Sequence, residues 1–567
     1  MATSWRSTHV EQVPAADRPI PPSGPLDLRE VRFPTRAESV LPEVLAALQA
    51  RTPEAPCAVF TDGTTWSYAE TAARTWGLAH RLAEVTGLAR GEYLASCLPN
   101  GPEAILSWTA TCALGAVYAP LNTAYRTPQL HHALELTRAS VLVVHADLAE
   151  RLAQLDPVTL PHLRHVVLVG GTAPEVPLPW PVSSWTEVAT VNGAARPVLD
   201  PPLEPWDECA VLMTSGTTGA SKAVRRTYAQ YDRYTESSFR MVGVGAADRF
   251  HVCAPLFHGG ADTPVYSMIQ LGASFLVDTG FSVSRFWDTV RRHGCTVAWL
   301  HSAMSLFLHK QPERPDDADN PLRLALLAPL FPGYQDFARR FGISVYMVYG
   351  MTEMSCVFTV LDPTEVGSLG APADPGYHAR IVDEHDVEVP PGTPGELVVR
   401  HDLPWVITPG YLHDAAATAR VWRNGWFHTG DVFVRTAAGD HRLVDRVKDA
   451  IRRRGEFVSA AEVERELLDL PEVTEAAVIG VAAEMEEEVL AYLAVRPGSD
   501  APDIHRRLVQ RLSYFAVPRY LVVRDTLPRN VALRVDKPSL RGLGVPADAW
   551  DAVAAGVQPT RERFGPA

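Results

Sequence analysis

Residues 210–224, Ala-Val-Leu-Met-Thr-Ser-Gly-Thr-Thr-Gly-Ala-Ser-Lys-Ala-Val, constrain this chain more than any other stretch, because an apolar run passes abruptly into hydroxyls, two glycines and a lysine. The run reads as a buried strand and the polar half as a loop suited to phosphate. Gly216 and Gly219 allow positive φ and close backbone approach, so successive N–H groups can converge on one anion. Thr214, Ser215, Thr217 and Thr218 add hydroxyl donors, and Lys222 adds a compact positive charge. The spacing differs from the Gly-x-x-x-x-Gly-Lys-Ser/Thr of nucleoside triphosphatases, which excludes that class. Taken alone, the loop is also compatible with a polar surface turn.

A second motif, Val345-Tyr-Met-Val-Tyr-Gly-Met-Thr-Glu353, is a short apolar strand ending in Tyr349, Gly350, Met351, Thr352 and Glu353. It offers a ring for a base, a hydroxyl for a phosphate and a carboxylate for Mg²⁺, a cation that favours one or two carboxylates plus phosphate oxygens. Between the two motifs, Pro255-Leu-Phe-His258-Gly259-Gly260 is an apolar segment stopped by a histidine and two glycines. Residues 295–308, which include His301, read as a strand entering a helix, and their apolar side chains serve equally as core or as a pocket wall.

A chain of 567 residues can bury a large core and form more than one domain. A net charge of -14 speaks against a general nucleic-acid binder. Seven scattered cysteines with no Cys-x-x-Cys pair suggest neither a zinc site nor a disulfide framework, which points to a reducing cytoplasm. No signal peptide and no stretch long enough to span a membrane is evident. Residues 1–35 read as an irregular Pro-containing arm, and from Val40 onward helical and strand patterns alternate, predicting layered α/β architecture.

These motifs and their order closely resemble the adenylate-forming superfamily of acyl-CoA synthetases, firefly-type luciferases and peptide-synthetase adenylation domains, and are most like the acyl-CoA ligases, over residues 40 to 545. The resemblance implies a large N-terminal domain of layered sheets and helices (36–445) and a small mobile α+β C-terminal domain (446–567), hinged at Lys448. It implies that Thr214 to Gly219, Lys222, Tyr349 to Thr352, Asp431 and Arg446 bind the nucleotide, with Asp431 and Arg446 on the ribose, and that Glu353 binds Mg²⁺. His258, Gly259 and His301 are expected at the acyl pocket, and Arg452, Arg454 and Gly455 beside coenzyme A. Asp262 does not match the context of the aspartate that holds an α-amine in peptide-synthetase domains, so the expected substrate is a non-amino carboxylic acid.

Departures from the family pattern are Ser221 and Ala223 flanking Lys222, Leu326-Leu327 on the adenine side, Ala460, and Arg534 after Leu533 where the family has Gly-Lys. The last bears on mechanism, since the family lysine bridges carboxylate and phosphate during adenylation. The expected activity is transfer of the acyl group of an acyl-adenylate to coenzyme A, with ATP-dependent adenylation weak or lost and a separate adenylating ligase supplying the intermediate. Alternatives are a fully competent acyl-CoA synthetase in which Arg534 or Lys537 serves, an enzyme loading a carrier protein, luciferase-like oxidation, and an inactive nucleotide-binding module.

Overall fold

The computed structural model describes residues 31–559 apart from 171–176, 190–193, 215–220, 329, 332, 366, 447–449, 455, 485, 529–534 and 558. Ser215, Gly216, Thr217, Thr218, Gly219, Lys448, Gly455 and Arg534 therefore lie outside the described residues, as does most of the N-terminal arm.

Two large sheets carry the N-terminal part. The seven-stranded sheet runs Val182–Ser184, His165–Val169, Val141–His145, Tyr93–Cys97, Val117–Pro120, Glu208–Thr214, Lys222–Thr227, parallel except for its last pair. The eight-stranded sheet begins at Met354–Leu361 and Ser344–Met351, an antiparallel pair, and continues through Leu324–Leu327, Val297–Leu300, Arg249–Val252, Ser274–Val277 and Pro56–Phe60 in parallel to an antiparallel edge, Thr65–Ser67. Helices cover the parallel strands, which accordingly read as continuous apolar runs: every residue of Val141–His145 is buried. Leu326 and Leu327 are buried in their strand, so they serve the core.

Local chemistry sets the helix ends. Ser67 and Glu70 form a reciprocal capping box at the start of helix Tyr68–Thr86, which stops at Gly87 with φ 68°. Helix Gly259–Leu271 stops in the same way at Gly272, φ 70°. An antiparallel sheet of Tyr377–Val382, Gly395–His401, Trp426–Arg435, Trp422–Arg423 and His441–Arg446 completes this part.

The C-terminal part begins with a hairpin, Ala450–Arg453 and Glu456–Ser459, and continues with helix Ala460–Leu468, strands Val473–Ala482 and Glu487–Val495, helix Ala501–Arg511 and strand Tyr520–Arg524. This α+β unit has its own apolar core, including Val463, Leu467, Ile504 and Leu508. It seats on the larger part through polar contacts: Gln129 donates to Glu462 at 2.6 Å and accepts from Ser513 at 2.9 Å.

Candidate active site

The antiparallel end of the seven-stranded sheet sets Lys222 opposite Thr214 in register. Thr214 and Lys222 thus end the two strands of a hairpin, whose return strand the apolar run did not announce. Nζ of Lys222 stands 4.7 Å from the centroid of the Tyr411 ring, an arrangement that favours the ammonium. The Tyr411 hydroxyl in turn donates to Glu353 at 2.9 Å. Lysine, tyrosine and carboxylate come from three distant stretches and meet at one place.

Glu353 lies in the turn of a second hairpin, between strands Ser344–Met351 and Met354–Leu361, in which Gly350 pairs with Cys356. A Cβ at Gly350 would meet the Ser355 carbonyl oxygen at 2.9 Å and Cys356 Cα at 3.2 Å, both backbone atoms, so the hairpin closes only on glycine. The carbonyl of Thr352 accepts from Gln230 at 2.9 Å. Strand alternation sends Val348 and Gly350 toward the cavity and Tyr349 away from it. The pentapeptide promised the Tyr349 ring as a platform for adenine. That expectation is corrected: the ring is 8 % exposed and packs against Phe433, with centroids 5.0 Å apart. Tyr349 meets the site through its hydroxyl, which donates to Asp431 at 2.7 Å. Asp431 is buried and pairs in register with Arg446 on the neighbouring strand.

On the other side, Nε2 of His258 lies 2.6 Å from the Glu456 carboxylate, a contact between the two parts of the chain. His301 accepts at Nδ1 from Arg452 at 3.2 Å. Burial, with the Arg452 charge adding to it, pushes the His301 imidazole down to about 4, so it is neutral near pH 7. Arg452, expected beside coenzyme A, is instead turned into this contact, because His301, the Ala328 carbonyl and Glu486 all lie within its reach. Arg453 is buried, donating to the Val517 carbonyl at 2.5 Å and paired with Glu488. Arg454 is exposed, stands over the Tyr514 ring and lines the cavity.

All of this surrounds one cavity of about 630 Å³, bordered by Thr214, Lys222, Gly259, Met351, Asp431 and Arg454 among others. Trp299, from the stretch 295–308 read as core or pocket wall, borders it, as do residues no motif singled out: Arg226, Tyr411 and Arg420. For Tyr411 a signal existed, the Pro-Gly turn before it, where Gly410 has φ 133° and packs against Thr418. For the others only the tertiary contacts reveal the role. Among the described residues no group of three or more His, Cys, Asp or Glu could hold a metal by itself, and no helix is long and apolar enough to cross a membrane.

Two layered sheets and a small α+β unit meeting over one nucleotide-sized cavity are the architecture of the adenylate-forming enzymes, and solved members share it. A double mutant of o-succinylbenzoate CoA synthetase from Bacillus subtilis, bound with its product analogue OSB-NCoA, aligns with a TM-score of 0.77 at 24% identity, covering 88% of this chain and 98% of that one. The same enzyme in complex with AMP gives 0.62 at 25% identity, covering 88% and 97%. Amide bond synthetase McbA from Marinactinospora thermotolerans gives 0.75 at 22% identity, covering 89% and 99%. In sequence, the crotonobetaine/carnitine–CoA ligases of Salmonella arizonae and Escherichia coli are 29% and 28% identical, over 80% of this chain and 89% of theirs. The family models described as AMP-binding enzyme and AMP-binding enzyme C-terminal domain match residues 45–412 and 462–532. The chain belongs to the AMP-binding enzyme family, close to its acyl-CoA ligases. It is an enzyme of the AMP-forming acid–thiol ligase class.

Proposed function

We propose that this enzyme joins a non-amino carboxylic acid to coenzyme A through an acyl-adenylate, and that the arrangement described here is the one suited to the second, thioester-forming step. The observation that carries this is the contact of Glu456 with His258, which brings the strand Glu456–Ser459 of the small domain to the end of the cavity read as the acyl end. The higher TM-score to the double mutant of o-succinylbenzoate CoA synthetase bound with its product analogue than to that synthetase in complex with AMP supports it.

In this proposal Thr214 and Lys222 hold phosphate, and the loop 215–220 adds backbone and hydroxyl donors. Asp431, an acceptor-only carboxylate fixed by Tyr349, takes the ribose hydroxyls with Arg446. Glu353 suits Mg²⁺: it is buried, lines the cavity, is held by Tyr411, and is a single carboxylate beside a phosphate site, the donor set this ion accepts. When bound, Mg²⁺ would neutralise charge on the phosphates. Lys222 and the hydroxyl groups then position like-charged reactants, and catalysis is largely electrostatic. Arg454 and Tyr514 form the mouth through which the thiol enters. Lys448 serves as hinge, with domain limits near 35 and 445. Seven buried free cysteines fit a reducing cytoplasm.

The proposal includes a weak adenylation step. Arg534 brings a planar fork where the family has a compact ammonium, and the two are not equivalent at a tight site. Lys537, the other candidate, pairs with Glu464 at 2.8 Å. A separate ligase or adenylate source would then feed this enzyme. Pyrophosphate exchange and coenzyme A transfer from synthetic acyl-adenylate, measured separately in the native protein and in Arg534→Lys, test both parts. Slow native exchange that Arg534→Lys raises, with fast transfer in both, supports the proposal. Brisk native exchange overturns the adenylation part, and absence of transfer to coenzyme A overturns the whole.

A further inference from the structure

One arginine of the small C-terminal unit fixes the proton of a histidine in the cavity wall. Arg452, on the strand Ala450–Arg453, is held from its own side: its backbone N–H donates to Glu487 at 2.9 Å, and its Nε stands 3.6 Å from Glu486. Its Nη2 reaches across to the large domain, 3.2 Å from Nδ1 of His301 and 3.4 Å from the Ala328 carbonyl oxygen. Nδ1 and that carbonyl oxygen are themselves 3.4 Å apart. A guanidinium only donates and a carbonyl only accepts, so with Arg452 in place Nδ1 must offer its lone pair. Burial keeps the ring neutral near pH 7, and its single N–H proton is therefore on Nε2.

Nε2 is the part of the ring left for a ligand. His301 borders the cavity together with Trp299 and Met304 of the same stretch and with Ala328, which follows the neighbouring strand Leu324–Leu327. Thr214, Lys222 and Asp431, to which the nucleotide is assigned, come from other sheets. Among the described residues Nε2 has no hydrogen-bond partner, and unlike Nε2 of His505 it is not closed off by protein atoms. Without Arg452, Nδ1 and the Ala328 carbonyl would oppose each other as two acceptors, and moving the ring proton to Nδ1 turns that opposition into a hydrogen bond. Nε2 is then left with a lone pair. The arginine thus decides whether the cavity meets a donor or an acceptor, and it can do so only while the small domain is docked as observed.

We propose that this enzyme checks its acid at the thioester-forming step: with Arg452 docked, the Nε2–H of His301 donates to a keto or hydroxyl oxygen on the acyl group, away from its carboxylate. Arg452 is a positioning residue, since it acts through the ring and does not itself border the cavity. The proposal rests on the acyl-CoA ligase reading with its domain movement, and deepens it by naming the substrate class. An all-carbon acyl chain would leave the donor unpaired, at a cost in free energy.

The test compares coenzyme A transfer from synthetic acyl-adenylates that carry a methylene, a hydroxyl or a keto group at graded distances from the carboxyl carbon. At one distance the native kcat/KM should be about five- to tenfold higher for the hydroxyl and keto forms than for the methylene form, the worth of one net hydrogen bond. In Arg452→Met the keto form should fall to or below the methylene form, because its oxygen would face a lone pair. The hydroxyl form, which can also donate, should keep its advantage. His301→Leu should erase every preference. Ring ¹⁵N spectra, with His301 assigned by its loss in His301→Leu, give a second readout in the presence of coenzyme A and a non-hydrolysable acyl-sulfamoyl adenosine. The proton should be on Nε2 in the native protein and on Nδ1 in Arg452→Met. A native proton on Nδ1 would overturn the proposal without any variant, and so would an Arg452→Met protein that lowers all three forms alike or keeps the native tautomer. Equal native transfer of the three forms at every distance would overturn the selectivity and leave the ligase function standing. No transfer from any adenylate would overturn both.

Discussion

The Nε2 of His258 and the carboxylate of Glu456 lie 2.6 Å apart although 198 residues separate them, and the bond ties the start of a helix that borders the cavity to the hairpin of the small C-terminal unit. If that bond holds the thioester-forming arrangement, Glu456→Ala should slow coenzyme A transfer from synthetic acyl-adenylate about tenfold or more, in line with loss of a hydrogen bond to a charged group. Pyrophosphate exchange should be unchanged. An equal loss in both assays would show that Glu456 supports the fold and not the step.

Asp431→Ala should weaken binding of an acyl-adenylate analogue by about 1.5 to 3 kcal/mol, because it strips a charge-assisted acceptor from the ribose. Tyr349→Phe removes only the hydroxyl that holds this carboxylate at 2.7 Å, and should cost about 1 kcal/mol when the analogue is titrated into both variants in a calorimeter. If Tyr349→Phe had no effect while Tyr349→Leu did, the ring and not the hydroxyl would be the contributing part.

Gly350→Ala should be disruptive out of proportion to one methyl group. The atoms it would meet, the Ser355 carbonyl and Cys356 Cα, are backbone and cannot rotate away. A stability loss of about 1 to 3 kcal/mol is expected from overpacking, together with weaker nucleotide binding, since Thr352 and Glu353 follow directly. Thermal unfolding with and without AMP separates the two effects.

His301 gives a pH dependence with a definite sign. Its imidazole titrates near 4 in the folded protein because burial and Arg452 disfavour the charged form, against about 6.5 in an unfolded chain. The unfolded state therefore binds the extra proton first. Stability from this group is complete above about pH 6.5, declines as pH falls toward 4 and levels off below that. His301→Gln should flatten denaturation midpoints across that window. An identical slope in the variant would assign the pH dependence to other groups.

Lys448→Pro should separate the half-reactions. Proline fixes φ and removes an N–H at the proposed hinge, so one domain orientation should be trapped and one of the two assays impaired more than the other. Equal impairment would argue against a hinge at this position.

What the chain announces by itself is chemistry that is local and periodic. The run into Thr214 and Lys222, the strand into Glu353, and the alternation of helix and strand are short-range patterns, so the α/β class and the strands that end in the two motifs, observed as Glu208–Thr214 and Ser344–Met351, could be read directly. Tertiary structure decided what depends on which side chains face one another. Tyr349 lies inside a motif, yet strand alternation turns its ring to the core and leaves its hydroxyl for Asp431. Arg452 sits in a basic run that resembles a phosphate site, yet the approach of His301 and Ala328 claims its donors. Arg226 and Asp262 belong to no pattern, because their pairing spans 36 residues and exists only once a strand and a helix pack together. Periodicity encodes the face of an element that meets the core, whereas a buried charge and its partner are matched only when the fold removes both from water.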